Sequence, residues 1–143
     1  MTYFLDANIC LDLLDTKRKT ASTSVQWYME QKDDVDNLFY FSADFITTFY
    51  YVLTERKKFA SFDVIAAIDA LSSEIIPFYL THSDFVLAKN SFFDGVFDDF
   101  EDLMILESAA RIKSDYFVTN DKQLLMLGEY KSMSIVSFEK LRL

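Results

Sequence analysis

The sequence predicts an α/β domain in three layers, a mostly parallel central sheet flanked by helices. Three observations carry that reading. Short apolar runs of strand length, such as residues 2–5 and 116–119, alternate with longer stretches whose apolar residues recur at helical spacing. Such alternation packs as a parallel sheet joined by right-handed crossovers. Aspartates stand where strands should hand over to helices: Asp6, the pair Asp99 and Asp102, and Asp121. With only two Gly and one Pro, no flexible linker divides the chain, and residues 1–143 read as one domain.

Residues 2–5 form the first strand and 7–14 the first helix, with apolar positions at Ile9, Leu11, Leu13 and Leu14. A second helix over 20–33 carries Val25, Trp27, Tyr28 and Met29 and frays into an acidic run at Asp33, Asp34 and Asp36. Residues 38–41 are the next strand. Ser42 or Asp44 can cap a long helix reaching about Lys58, with Phe45, Thr48, Phe49 and Val52 on one face. Ser61 can cap a helix through Leu71 that buries Val64, Ile65, Ile68 and Leu71. Residues 75–80 are a strand that Pro77, lacking an amide donor, assigns to a sheet edge or a strand start. Thr81 can cap a helix to about Phe92, and Asp98 or Asp99 another ending near Lys113. The strand 116–119, a short helix 122–127 capped by Asn120 or Asp121, a strand 134–137 and a helical turn 138–141 complete the chain.

Composition narrows the function classes. A net charge of −9 argues against a general nucleic-acid coating protein, because phosphate binding rests on clustered Lys and Arg. Two small basic groups remain, Lys17-Arg18-Lys19 and Arg56-Lys57-Lys58, which read first as solvated helix ends. The glycine shortage excludes the dinucleotide fingerprint and the Walker-type phosphate loop. Cys10 alone makes no internal disulfide, no basic leader is evident, and no apolar run approaches a membrane span, so the expected setting is soluble and cytoplasmic, with no membrane partner.

The aspartates carry the chemistry. In an open α/β sheet the carboxyl ends of the strands line one crevice, so carboxylates distant in sequence can converge there on a metal. Asp6 and Asp121 can equally serve as plain helix caps. Asp99 and Asp102 are three residues apart in a first helical turn and share one face, where two like charges favour a bound cation or a raised pKa.

In order and spacing, Phe4-Leu5-Asp6-Ala7-Asn8, then Asp99-Phe100-Glu101-Asp102 leading a helix that ends Ser108-Ala109-Ala110, then Asp115-Tyr116-Phe117-Val118-Thr119-Asn120-Asp121, resemble a PIN domain. The resemblance is closest to the small stand-alone PIN ribonucleases that form the toxin half of VapBC-type toxin–antitoxin pairs. It implies an endoribonuclease dependent on Mg²⁺ or Mn²⁺, with Asp6, Asp102 and Asp121 as metal ligands and Asp99 completing the acidic catalytic pocket. Asn8 and Thr119 are implied as supporting hydrogen-bonding residues, and an RNA substrate and a cognate antitoxin as partners.

One position departs from that pattern. PIN nucleases place a Glu six residues after a Ser in the helix following the second strand, and counting from Ser42 this position holds Thr48. Asp44, one turn earlier on the same face, is the better substitute; Glu55 lies roughly 10 Å further along the axis. The loss of charge leaves a second reading open, a PIN-fold binding module with a weakened site that acts through a protein partner. A haloacid-dehalogenase-type phosphatase fits less well, because Asn8 stands where its acid would be. His82 reads as an exposed first-turn residue and Cys10 as a small buried hydrophobe. The aromatic runs 39–41 and 49–51 read mainly as core and interface, and the pairs Trp27-Tyr28 and Tyr50-Tyr51 suggest a homodimer.

Overall fold

The computed structural model describes residues 1–141. Four residues at the start, Thr2 and the buried Tyr3, Phe4 and Leu5, make β1 (Thr2–Leu5), the third position across a sheet ordered β3-β2-β1-β4-β6-β5. It lies between β2 (Leu38–Ser42) and β4 (Tyr116–Val118), parallel to both, in the registers Leu5 to Phe41 and Leu5 to Val118. Strands β3 (Ile76–Phe78) and β6 (Met133–Val136) extend the parallel set on either side. Pro77 therefore sits on an edge strand, as its missing amide requires. A two-residue strand, β5 (Glu129–Tyr130), pairs antiparallel with β6 and had no signal in the sequence pattern.

Helices cover both faces. On one side α1 (Ala7–Leu14), α2 (Ala21–Gln31), α3 (Phe45–Tyr51) and α4 (Ser61–Glu74) pack Ile9, Trp27, Phe49, Val64 and Ile68 against Tyr3, Leu5, Phe39 and Phe41. On the other, α5 (His82–Phe93), α6 (Phe100–Arg111) and α7 (Lys122–Leu127) pack Ala88, Leu103, Leu106 and Leu124 against Phe4, Phe117 and Ile135. The alternation of Phe4 and Leu5 between the two cores is the period-two signature of a strand covered on both faces. A short α8 (Phe138–Leu141) seats Phe138 on Trp27, ring centroids 4.9 Å apart.

Several expectations change in detail. Trp27 and Tyr28 are buried, Trp27 edge-on to Tyr3 and Phe39, so this pair offers no exposed interface; Tyr50 and Tyr51 are exposed. Ile65 points outward although Val64, Ile68 and Leu71 are buried as expected. The long helix to Lys58 divides: after α3 the chain widens into a π-helical segment over 52–56, where the Thr54 hydroxyl donates to the Tyr50 carbonyl at 2.7 Å and competes with the regular ladder. Ser61 is the first residue of α4 and not its cap, which is Ala60; its hydroxyl is engaged with Tyr50 Oη at 3.0 Å. Asp44 precedes α3 without capping it through its side chain. His82 is exposed and Cys10 buried. No helix among the described residues is long and apolar enough to cross a membrane.

Candidate active site

Strand β1 ends at Leu5, and its next residue caps α1. Asp6 Oδ1 accepts from the Ala7 amide at 2.8 Å, satisfying one of the donors that a helix start leaves free. Its Oδ2 accepts from Thr119 Oγ1 at 2.6 Å and from Asn8 Nδ2 at 3.4 Å. Thr119 follows β4, and its hydroxyl oxygen also accepts from the Asp121 amide at 3.0 Å, while Asn8 Oδ1 accepts from the Asn120 amide at 3.2 Å. The ends of β1 and β4 are thus laced together around one carboxylate. Asn8 and Thr119, which sequence reasoning placed beside the pocket, hold Asp6 in position. Burial pushes the Asp6 carboxyl above its ordinary range; the bonds from Thr119 and Ala7 oppose this, and the Asp121 charge adds to it.

Asp102 reaches the site by another route. Asp99 and Asp102 do not follow a strand: they come from the connection between α5 and α6, with Asp99 as the cap of α6, accepting from the Asp102 amide at 3.1 Å. The expected strand-end origin fails here because α6 follows α5 directly, yet its first turn is aimed at the same crevice. No donor among the described residues bonds the Asp102 carboxylate. Burial, then the charges of Asp99, Asp6, Asp121 and Glu101, push its pKa up to about 7.

Asp6 and Asp102 line one cavity of about 430 Å³. Asp44, Thr48 and Glu101 share its wall, with Ala7, Phe45, Leu80, Met104 and Ile105 supplying the apolar lining. Thr48 faces the cavity, as the count from Ser42 requires, and so does Asp44, its expected substitute; Glu55 does not line it. Asp121 lies outside this lining. It caps α7, Oδ1 accepting from the Gln123 amide at 2.8 Å and the Leu124 amide at 3.2 Å, and it acts on Asp6 and Asp102 through its charge. Asp99 likewise acts through charge. Sequence reasoning missed Glu101 as a cavity residue; its place beside Asp102 in a first helical turn aimed at the crevice was the available signal.

The donor set suits a hard cation. Mg²⁺ commonly takes one or two protein carboxylates and keeps several waters, leaving room for a substrate phosphate, and two carboxylates lining one cavity meet that description. Among the described residues, no three His, Cys, Asp or Glu side chains are gathered closely enough to cage an ion unaided.

No family model matches the chain, and no curated protein matches it in sequence. Solved structures do. The sarcin-ricin loop cleaving toxin VapC20 of Mycobacterium tuberculosis aligns at a TM-score of 0.71 and 14% identity over 90% of this chain and 97% of that one. The chain has the fold of the VapC toxins. VapBC2 from Rickettsia felis, solved bound to a DNA fragment from its promoter, aligns at 0.67 and 15% identity over 96% of this chain and 98% of that one. VapBC-1 from nontypeable Haemophilus influenzae aligns at 0.65 and 17% identity over 97% and 99%. The PIN-like layer order read from the sequence is that of these VapC-like folds, and at such identities the likeness is one of fold.

Proposed function

We propose that this chain is a divalent-metal-dependent endoribonuclease and the toxin of a toxin–antitoxin pair, its protein partner being the antitoxin. The observation that carries the reading is the convergence of Asp6 and Asp102, from β1 and from α6, on one cavity in which their charges and those of their neighbours are uncompensated by any lining cation. The fold shared with VapC toxins, one of them described as cleaving the sarcin-ricin loop, supports RNA as the substrate.

Asp6 and Asp102 would hold Mg²⁺ or Mn²⁺, with Asp121 and Asp99 adding negative potential. Held there, such an ion would supply Lewis-acid polarisation of a phosphate and a water of lowered pKa. The chain's own contribution is positional. Thr119 and Asn8 fix the Asp6 carboxylate through Oδ2 while Ala7 fixes Oδ1, so that side chain enters the reaction with little freedom left to lose. The Asp102 carboxyl, its pKa raised to about 7 by burial and neighbouring carboxylates, would hold a divalent cation in its deprotonated form. Phe45, Met104 and Ile105 exclude bulk water from one side, which strengthens every charge interaction in the cavity.

The test is to assay cleavage of a defined RNA while titrating Mn²⁺ into chelator-treated protein. Cleavage that rises with Mn²⁺ and is absent from Asp6→Asn supports the reading. Tight binding of RNA or of a cognate antitoxin with no cleavage at any Mn²⁺ concentration would replace it with the binding-module reading, in which Thr48 has cost the site its activity.

A further inference from the structure

Six of the 14 Lys and Arg residues of this acidic chain fall in two runs, Lys17-Arg18-Lys19 and Arg56-Lys57-Lys58, far apart in sequence. The fold joins them. Helices α1 and α3 both start at the acidic cavity, where Ala7, Phe45 and Thr48 line its wall, and both lead away from it. The first basic run follows α1, and the second closes the π-helical segment that continues α3. Their junction is the buried Asp15, whose Oδ1 accepts from the Lys17 amide at 3.2 Å and whose Oδ2 lies 3.9 Å from Lys57 Nζ.

Not all of these charges are spent. Arg18 pairs with Asp12 at 2.8 Å and Lys57 with Asp15. Lys17, Lys19 and Lys58 are exposed and form no ion pair among the described residues. Arg56 lies over the Tyr51 ring, 5.9 Å from its centroid. Two large rings adjoin the second run, Tyr51 beneath Arg56 and Phe59 next to Lys58, exposed to 54% and 38%. Lys58 also holds a φ of +60°, a left-handed conformation in which glycine would be relaxed and lysine is not. Glu55 is the one acid within the π-helical segment.

Free cations interleaved with exposed aromatic rings are the physical signature of a surface for single-stranded nucleic acid, the cations meeting phosphates and the rings stacking bases. The acidic cavity has no basic lining residue with which to draw in a polyanion, so attachment must come from elsewhere on the molecule. The eight residue steps from Thr48 to Arg56, four of them in the wider π-helical segment, span at most about 12 Å at ~1.5 Å per residue.

Resting on the nuclease reading above, we infer that the junction of the two basic runs binds a single-stranded segment of the RNA substrate leading to the cavity, with phosphates on Lys17, Lys19 and Lys58 and bases on Tyr51 and Phe59. A protein partner with an acidic segment could neutralise the lysines, but it would leave the rings without a role.

The experiment measures binding of a short unstructured RNA across a salt series, in an Asp6→Asn background so that nothing is cleaved. Replacing Lys17→Ala, Lys19→Ala and Lys58→Gly together should weaken binding at least tenfold and reduce the slope of log K against log salt by about 2, at ~0.7 for each phosphate left without its lysine. Tyr51→Ala alone should weaken binding about tenfold with the slope unchanged. Circular dichroism should show each variant folded, and the Mn²⁺ affinity of the triple variant in the wild-type background should stay at the wild-type value. Unchanged RNA affinity and slope in the triple variant, with the parent binding RNA and the wild type cleaving it, would overturn the junction and leave the nuclease intact. A parent that binds no RNA at any salt, with a wild type that cleaves none, would overturn both. Polyglutamate binding to the parent as tightly as RNA, with Tyr51→Ala indifferent to either, would make the surface a site for acidic protein and overturn the RNA assignment.

Discussion

Asp84 and Asp102 sit on the packed neighbours α5 and α6 and have opposite fates. Asp84 is almost completely buried, which alone would raise its pKa, yet Arg111 donates to it through Nε at 3.0 Å and Nη2 at 2.9 Å, the Thr81 amide donates at 2.9 Å, and its carboxyl is held below the ordinary range. Asp102 is only half-buried, but its neighbours are other carboxylates, and its pKa rises to about 7. Asp12, Asp15 and Glu107 follow Asp84, whereas Asp6 does not: Asp12 pairs with Arg18, Asp15 lies 3.9 Å from Lys57 Nζ, and Glu107 pairs with Lys131 at 2.6 Å and accepts a bond from Tyr130. Burial by itself therefore does not mark a functional acid in this molecule. What sets Asp102 apart is burial among like charges with no cation supplied by the chain, an unfavourable arrangement that a proton or an external cation relieves.

The largest expected effect sharpens that contrast. Asp6→Asn should reduce RNA cleavage by more than the roughly 10–100-fold that follows loss of an outer hydrogen-bonding partner of a metal ligand. The variant should still fold, with a modest change in melting temperature: an Asn carbonyl can accept the Ala7 amide that now bonds Asp6 Oδ1 at 2.8 Å and a buried charge is removed, while the new amide group meets the Thr119 and Asn8 donors that Oδ2 accepts. Cleavage assays beside thermal melts decide this; full activity in Asp6→Asn would mean that the cavity is not the catalytic site.

Next in size is the paired acid. Arg111 also donates to the Tyr79 carbonyl at 2.9 Å and lies 4.3 Å from the Phe78 ring centroid, so one side chain joins β3, α5 and α6. Arg111→Ala strands the Asp84 charge and should cost about 3 kcal/mol, the low end of the range for breaking a buried pair, since the Arg side chain is 35% exposed. Urea unfolding of Arg111→Ala and of the double variant Arg111→Met with Asp84→Leu should show the double variant losing less. Equal losses would mean that Asp84 carries no stranded charge and that the contrast with Asp102 is misdrawn.

A smaller effect follows from the pKa of Asp102. A group whose folded pKa lies above its unfolded value gives stability that is complete below the unfolded value and lost as pH rises through the folded one. In chelator, wild type should therefore lose stability between about pH 4 and pH 7 relative to Asp102→Asn, by about 1–2 kcal/mol once solvent screening of a half-buried group is allowed for. Mn²⁺ added at pH 7 should restore the melting temperature of wild type and have little effect on the variant. Parallel pH–stability curves for the two proteins would contradict the like-charge account.

Much of this architecture was legible because it depends on local signals. Apolar runs marked β1, β2, β3, β4 and β6, Pro77 placed β3 at an edge, and Thr81 and Asp99 capped the expected helices. Strand β5 gave no sign because two residues carry no periodicity. The burial of Trp27 and Tyr28 depends on Phe39 and Phe138, which no window around α2 contains. At the site, Asp6 was readable from its place at a strand end, and Thr119 and Asn8 only through the resemblance to PIN domains. The approach of Asp102 without a preceding strand was not, since it depends on how α5 turns directly into α6, and Glu101 entered the cavity by the same turn.

The smallest expected effect returns to Thr48, where the cavity wall holds a hydroxyl in place of the charge that the resemblance to PIN nucleases led one to expect. Thr48 and Asp44 face the same space as Asp6 and Asp102 but come from α3, so a carboxylate at Thr48 would add a further charged oxygen donor to the cavity wall. Thr48→Glu should tighten Mn²⁺ binding several-fold, because the number of charged oxygen ligands is a main control on affinity at such sites. It should also lower stability slightly in chelator, because it adds one more unpaired charge to a cavity already crowded with them. The two effects have opposite signs, which separates them from a simple loss of packing. Asp44→Asn should shift both in the reverse sense if Asp44 serves as the present substitute. Calorimetric Mn²⁺ titration of the two variants reads the first effect and melting in chelator the second; tighter binding without the loss of stability would mean that the added Glu does not feel Asp6 and Asp102, and that α3 stands further from the acidic pair than the shared wall implies.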